Sequence, residues 1–301
     1  MGSWQARVAD RAIRVFVRRR DWGDEQALVR RARRVFGAPA VYARWAARGL
    51  RCERVERDGV RGEWVTPPAF LPGVVLYLHG GGFVSCSATT HRPITAALSR
   101  LTKRRVFAAD YRLAPEWRLP AAHEDVSAAY EWLCETGFSP STIAVAGDSA
   151  GGNLALALAI RLRNRGGPRV GCVVAFSPWT DLAGRGESVR SNEGRCAMFH
   201  PENIRDFASA ALGARGADLA DVSPGVAEVH DLPPVLIHVG STELLLDDAR
   251  RIQERIRTSG GACDLRIYEG VPHGWQMLVS FVPEAAHSLR EAAKFIDAAL
   301  T

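Results

Sequence analysis

Ser149 sits in Gly147-Asp148-Ser149-Ala150-Gly151-Gly152, a G-x-S-x-G pattern that follows the apolar run Ile143-Ala144-Val145-Ala146. A serine hydroxyl is a weak nucleophile and needs both exposure and a base. Glycines on either side let the chain turn sharply between strand and helix, which lifts the hydroxyl clear of a sheet. A second motif, His79-Gly80-Gly81-Gly82, follows Val74-Val75-Leu76-Tyr77-Leu78. Glycine lets backbone crowd a ligand and adopt positive φ. The N–H groups of Gly81, Gly82 and Ala150 could therefore surround a developing oxyanion. A phosphate-binding loop would need Lys and Ser or Thr near its end, and Phe83-Val84 stand there instead. The chemistry that fits both motifs is acyl transfer through a serine.

Such a serine needs an imidazole, and the position expected for it is a loop after the last strand. His273 lies in Val271-Pro272-His273-Gly274-Trp275, just after the run Leu265–Glu269. His238 is inside an apolar run and reads as core, while His79 and His123 read as structural hydrogen-bonding residues. The acid that orients the imidazole should follow the strand Val235–Val239, where Gly240–Asp248 offers Glu243, Asp247 and Asp248. Glu243 comes first after the strand and is the expected partner of His273, with Asp247 the alternative. Asp247 and Asp248 suit the first turn of a helix, where the dipole favours carboxylates.

These residues need a scaffold. Short apolar runs at Val74–Leu78, Val106–Ala109, Ile143–Ala146, Val170–Phe176, Val235–Val239 and Leu265–Tyr268 alternate with helical stretches. That alternation argues for a parallel sheet covered on both faces. Leu154, Leu156, Leu158, Ile160 and Leu162 repeat at period two, but the alanines between them favour a buried helix. Arg51–Val65 reads as a hairpin turning at Asp58-Gly59. Residues 1–50 read as two helical segments broken near Asp21–Asp24, and residues 181–225 as a lid inserted between sheet strands. Residues 284–300 read as a closing helix.

The 301 residues are 47% hydrophobic and 24% charged, ordinary for a large globular core. The net charge of +6 is uneven, because residues 1–50 hold twelve arginines against four carboxylates. The rest of the chain is slightly acidic, which argues against a nucleic-acid surface there. Arg7, Arg11, Arg14 and Arg18 recur at helical spacing among apolar residues. A basic amphipathic helix of this kind can lie on an anionic membrane or cover a partner; the plainer reading is the solvated face of a helix that caps the fold. No secretory signal and no stretch of membrane-spanning length is read. The six cysteines (52, 86, 134, 172, 196 and 263) lack C-x-x-C pairs, and Cys134, Cys172 and Cys263 read as small core residues. The expected setting is reducing and cytoplasmic, without metal.

Taken together, His79–Phe83, Tyr111-Arg112-Leu113-Ala114-Pro115-Glu116, Gly147–Gly152 and Pro272-His273-Gly274 resemble the hormone-sensitive-lipase-like branch of the α/β-hydrolases, the bacterial family IV carboxylesterases. The resemblance runs from about residue 70 to the C-terminus. It implies an α/β fold with a mostly parallel eight-stranded sheet, helices on both faces and a helical cap. Residues 1–50 and about 181–225 would supply the cap, and 51–301 the hydrolase domain. It also implies a cofactor-free serine esterase with Ser149 as nucleophile, His273 as base and Gly81, Gly82 and Ala150 as oxyanion donors. Many members carry Asp where this chain has Glu243. Esters of short to medium acyl chains are the expected substrates, with lactones an option and Phe83, Trp179, Phe199 and Trp275 as pocket walls. An amidase or deacetylase would use the same machinery. Gibberellin receptors resemble this fold but have lost the histidine; here both Ser149 and His273 are present. A homodimer is a further possibility. Arg112 is expected to pair with Asp148 or a neighbouring acid.

Overall fold

Strands that are apolar along their whole length belong in the middle of a parallel sheet, where both faces are covered. The computed structural model describes residues 2–57, 59–216 and 220–300, and it places β3 (Val74–Leu78), β5 (Ile143–Asp148), β6 (Cys172–Phe176) and β7 (Val235–Gly240) there, every residue buried. Among the described residues, eight strands form one sheet in the order β1-β2-β4-β3-β5-β6-β7-β8. From β4 (Arg105–Ala109) to β8 (Cys263–Tyr268) all pairings are parallel. The hairpin of β1 (Arg51–Arg57) and β2 (Val60–Thr66) adds two antiparallel strands at one edge. Its turn uses Gly59 at φ 78°, while Asp58, the other expected turn residue, lies outside the described residues. β1 carries five charged side chains in seven residues, which discourages pairing of this open edge with another chain.

Alternate side chains of each strand feed two layers. Val75 and Tyr77 point with Val106 and Val174 into a cluster closed by Ile94 and Leu98 of α4 (Arg92–Thr102) and Leu289 and Ile296 of α10 (Pro283–Ala299). Leu76 and Leu78 join the larger opposite core, covered by α5 (Ala121–Glu135), α6 (Ala150–Asn164) and α9 (Leu246–Thr258). In α6 the period-two leucines and the alanines between them are all buried. Being buried on every side explains why this helix lacks a polar face and imitates a strand pattern.

Residues 1–50 form three helices rather than the two expected: α1 (Trp4–Phe16), α2 (Glu25–Val35) and α3 (Ala40–Ala46). Gly37 at φ 85° and Pro39 make a second break. Both are helix-ending residues. Between β6 and β7 lie α7 (Ser188–Ser191) and α8 (Pro201–Leu212), with no strand among the described residues. Cys172 and Cys263 are buried, and Cys134 is half-buried, packed against the larger core.

Helix α6 approaches the sheet so closely that Gly151 has no room for a side chain. A Cβ there would lie 2.0 Å from the Leu78 carbonyl oxygen. Gly151→Ala should destabilise the protein by about 2 kcal/mol or more. Gly194→Ala, where a Cβ meets nothing within 4 Å, should change stability by less than about 0.5 kcal/mol. Urea unfolding of both variants checks this, and equal midpoints would contradict the close packing.

Candidate active site

Ser149 occupies the one-residue turn between β5 and α6, at φ 54° and ψ −117°. This is strained for a residue with a Cβ, so neighbouring bonds must hold it. The Ser149 N–H donates to the Phe176 carbonyl at 2.8 Å, and its carbonyl accepts from Asn153 and Trp179, each at 3.1 Å. Beneath the turn, buried Asp148 accepts from the Tyr77 hydroxyl at 2.6 Å and the Gly80 N–H at 3.0 Å, with His91 Nε2 at 3.3 Å. Burial alone would raise the Asp148 pKa; His91 and the Tyr77 hydroxyl more than offset it and keep the carboxylate below its ordinary value. Asp148 thus ties the serine turn to the start of the glycine loop.

In that loop Gly81 and Gly82 both take positive φ, at 115° and 64°. Gly82 packs directly under Phe207, whose ring would lie 2.6 Å from an added Cβ. Among the described residues, the N–H groups of Gly81, Gly82 and Ala150 donate to no protein acceptor. His79 stacks on Tyr111 with ring centroids 4.2 Å apart, and the Tyr111 hydroxyl donates to the His79 carbonyl at 2.6 Å.

His273 Nδ1 donates to Glu243 Oε2 at 2.5 Å. The other carboxylate oxygen accepts from the Gly240 N–H at 2.6 Å and the Ser177 hydroxyl at 2.7 Å. Three donors therefore hold the Glu243 carboxylate in one orientation, in a place closed to water. The other two acids of this stretch are engaged elsewhere. Asp247 accepts from the Ser188 N–H at 2.7 Å. Asp248 Oδ2 accepts from the N–H groups of Thr180 and Asp181, both at 2.8 Å. Of the three carboxylates, only Glu243 meets His273.

Ser149, His273, Gly81 and Gly82 line a single cavity of about 450 Å³. Its other walls are mostly apolar and include Trp179 and Phe199 as expected, together with Phe36, Met198 and Phe207. Phe199 meets His273 edge-on, with centroids 5.4 Å apart. Phe83 and Trp275, expected as walls, do not line the cavity. Phe83 turns inward against Trp179 and His123, and Trp275 is buried beneath α1 against Ala6, Ala9 and Tyr268. Phe36 was not anticipated because it follows a basic helix, far in sequence from every motif. Its apolar character immediately before Gly37 is the only signal it offered.

Other expected residues hold structural positions. His238 is buried against the Ser288 hydroxyl at 2.7 Å, and His123 Nε2 lies 3.2 Å from Asn153 Oδ1. Arg112 pairs with Asp125 at 2.7 Å and Glu124 at 3.2 Å, not with Asp148, whose oxygens already face Tyr77, Gly80 and His91. Glu193, His200 and Glu202 stand close enough to share a cation. However, Arg20 pairs with Glu193 at 2.6 Å and Arg18 lies 3.4 Å from His200 Nδ1, so guanidinium groups already fill that place. None of the three lines the cavity.

The sequence profile of the alpha/beta hydrolase fold family matches residues 75–277. A Mycobacterium tuberculosis protein named carboxylesterase/phospholipase LipF is 39% identical over 229 residues, which is 74% of this chain and 61% of that protein. The chain thus spans about three-fifths of that relative's length. An acetyl-hydrolase of Streptomyces hygroscopicus is 35% identical over 237 residues, 79% of each chain. A crystal structure described as an esterase from the bacterial hormone-sensitive lipase family superimposes with a TM-score of 0.89 at 33% identity, covering 100% of both chains.

Asp248 gives the site a pH signature. Its Oδ1 has no hydrogen-bond partner among the described residues, and burial pushes its pKa up to about 7 from the ordinary 3.8. Between those values the folded protein retains a proton that the unfolded chain has released. This group's contribution to stability therefore declines as pH rises through the window and levels off above it. Asp248→Asn keeps the oxygen that accepts both N–H groups but cannot titrate. The stability of the wild type relative to this variant, measured by urea unfolding, should fall between pH 4 and pH 7 and then stay flat. A pH-independent difference would contradict the raised pKa.

Proposed function

The chain belongs to the alpha/beta hydrolase fold family, in its hormone-sensitive-lipase-like branch, and on that premise we propose that it is a serine carboxylesterase. The observation that carries the reading is the Glu243–His273 contact at 2.5 Å, opening onto a cavity that Ser149 and the glycine loop also line. Ser149 attacks the ester carbonyl while His273 takes its proton through Nε2. Glu243 fixes the tautomer with the proton on Nδ1 and stabilises the imidazolium without becoming protonated. The N–H groups of Gly81, Gly82 and Ala150 receive the oxyanion, helped by the positive end of α6. The tetrahedral species collapses to an acyl-enzyme as His273 returns the proton to the departing alcohol. Water, activated by the same imidazole, then releases the acid.

The substrate class follows from the walls. A mostly apolar cavity of about 450 Å³ suits short- to medium-chain acyl esters. A lactone would react by the same steps with its alcohol still tethered. Helices α1 to α3 and the stretch 181–225 act as the cap in this reading, because Val8, Ile13, Phe36 and Tyr42 from the first and Phe199 and Phe207 from the second line the cavity. The six free cysteines support a reducing, cytoplasmic setting. No helix among the described residues is long and apolar enough to cross a membrane.

With p-nitrophenyl butyrate, Ser149→Ala and His273→Ala should each lower kcat by on the order of 10⁶, and Glu243→Gln by on the order of 10⁴. Asp247→Asn should leave kcat near the wild-type value. Full activity in Glu243→Gln alongside an inactive Asp247→Asn would overturn the assignment of the acid.

A further inference from the structure

Helix α1 has three faces, and one of them is buried against the fold. Ala6 and Ala9 pack onto Val271, Trp275 and Ala285. Trp4, Val8 and Val15, four and seven residues apart on one helix side, and the adjacent Phe16 are largely exposed, with Trp4 58% and Phe16 72% exposed. The third face carries Arg7, Arg11, Arg14 and Arg18. Arg14 and Arg18 are used internally: Arg14 pairs with Asp10, and both bond to backbone carbonyls between Glu193 and Arg195. Arg7 and Arg11 form no ion pair among the described residues.

The exposed stripe continues around the cavity. Phe281 meets Trp4 edge-on, with centroids 5.7 Å apart, and lines the cavity itself. On the other side of that turn, the α3 residue Tyr42 lines the cavity and donates to the Met277 carbonyl at 3.2 Å. The same helix leaves Val41 82% exposed and Trp45 half-exposed, interleaved with exposed Arg44 and Arg48. Val8, Tyr42 and Phe281 thus line the cavity from three elements, and the same elements carry exposed Trp4, Val41 and Trp45 beside it, with Arg7, Arg11, Arg44 and Arg48 in no ion pair among the described residues. A patch of this kind marks an interaction surface.

We propose that α1, α3 and the Phe281 turn form a docking surface for an anionic lipid bilayer, which presents the cavity mouth at the level of the acyl chains. Charge selects this occupant. Apolar side chains bounded by arginine match a lipid–water boundary with negative headgroups. A second copy meeting the same face about a two-fold axis would lay arginine rows against each other, and like charges in contact oppose that arrangement. The surface goes beyond the esterase reading and does not depend on turnover.

The test uses the full-length Ser149→Ala protein in co-sedimentation with phosphatidylcholine vesicles, with and without phosphatidylglycerol. Binding should be at least about tenfold stronger to the anionic vesicles and should weaken as salt rises. Trp4→Ser/Phe16→Ser and Arg7→Glu/Arg11→Glu should each lose about tenfold or more of the anionic partition, since each interfacial arginine contributes roughly fivefold. Leu71→Ser, an exposed apolar residue on another loop, should bind like the parent. Equal binding to both vesicle types, or patch variants that partition like the parent, would overturn the proposal. So would a dimer in sedimentation velocity that Trp4→Ser/Phe16→Ser dissociates, with vesicle binding absent, because it would identify a second copy as the occupant. Because the parent is already without its serine, vesicle binding and ester turnover fail or succeed separately.

Discussion

The site depends on one steric constraint: α6 must begin immediately above the end of β5, with no linker residue to spare. Satisfying it forces Ser149 into positive φ and leaves no volume for a side chain at Gly147 or Gly151, whose added Cβ atoms would strike backbone oxygens at 2.3 Å and 2.0 Å. The strain is local and is held by bonds around the turn. The outcome is that the serine projects while its neighbours stay buried. A longer, relaxed connection would remove the strain and with it the fixed direction of the side chain.

The same turn sets the glycine loop. Asp148 stands one residue before Ser149 and accepts from the Gly80 N–H and the Tyr77 hydroxyl, so β3, its following loop and β5 converge on one carboxylate. The free N–H groups of Gly81 and Ala150 therefore come from two segments of chain fixed to a common point. Phe207 presses on Gly82 from the inserted segment and stacks with Phe36 from the N-terminal helices at 5.9 Å. The aromatic group of Trp22, Phe36, Phe199 and Phe207 joins the N-terminal helices and the inserted segment to each other and to the loop. Movement of either region would be felt at the glycines and at His273, against which Phe199 rests.

Sequence reading recovers what is encoded locally. Strand positions follow from uninterrupted apolar runs, the serine turn from its glycines, and Glu243 from its place directly after β7. Helix α6 was readable only because alanine propensity outweighed a misleading period. The losses share a cause: they depend on packing between segments distant in sequence. Phe83 and Trp275 are large apolar residues beside the motifs, yet φ 64° at Phe83 turns its ring into the core and α1 covers Trp275. Nothing within either motif encodes those contacts. Arg112 illustrates the same limit, since its partners on α5 are twelve and thirteen residues away and the sequence offers several acids at comparable distance.

The acid loop shows how three nearby carboxylates come to differ in task. Glu243 precedes the helix, and its extra methylene lets it reach past Gly240 to the imidazole while accepting from Gly240 and Ser177. Asp247 and Asp248 stand in the first turn of α9, where the helix dipole favours negative charge. They face the inserted segment instead, accepting N–H groups of Ser188 and of Thr180 and Asp181. Asp248 is the more deeply enclosed of the two, and its raised pKa records that burial. One turn of chain therefore anchors the start of the inserted segment and orients His273. The position of the cavity wall and the position of the imidazole share a single reference, so the aromatic side chains carried by that segment are set in register with the histidine they cover.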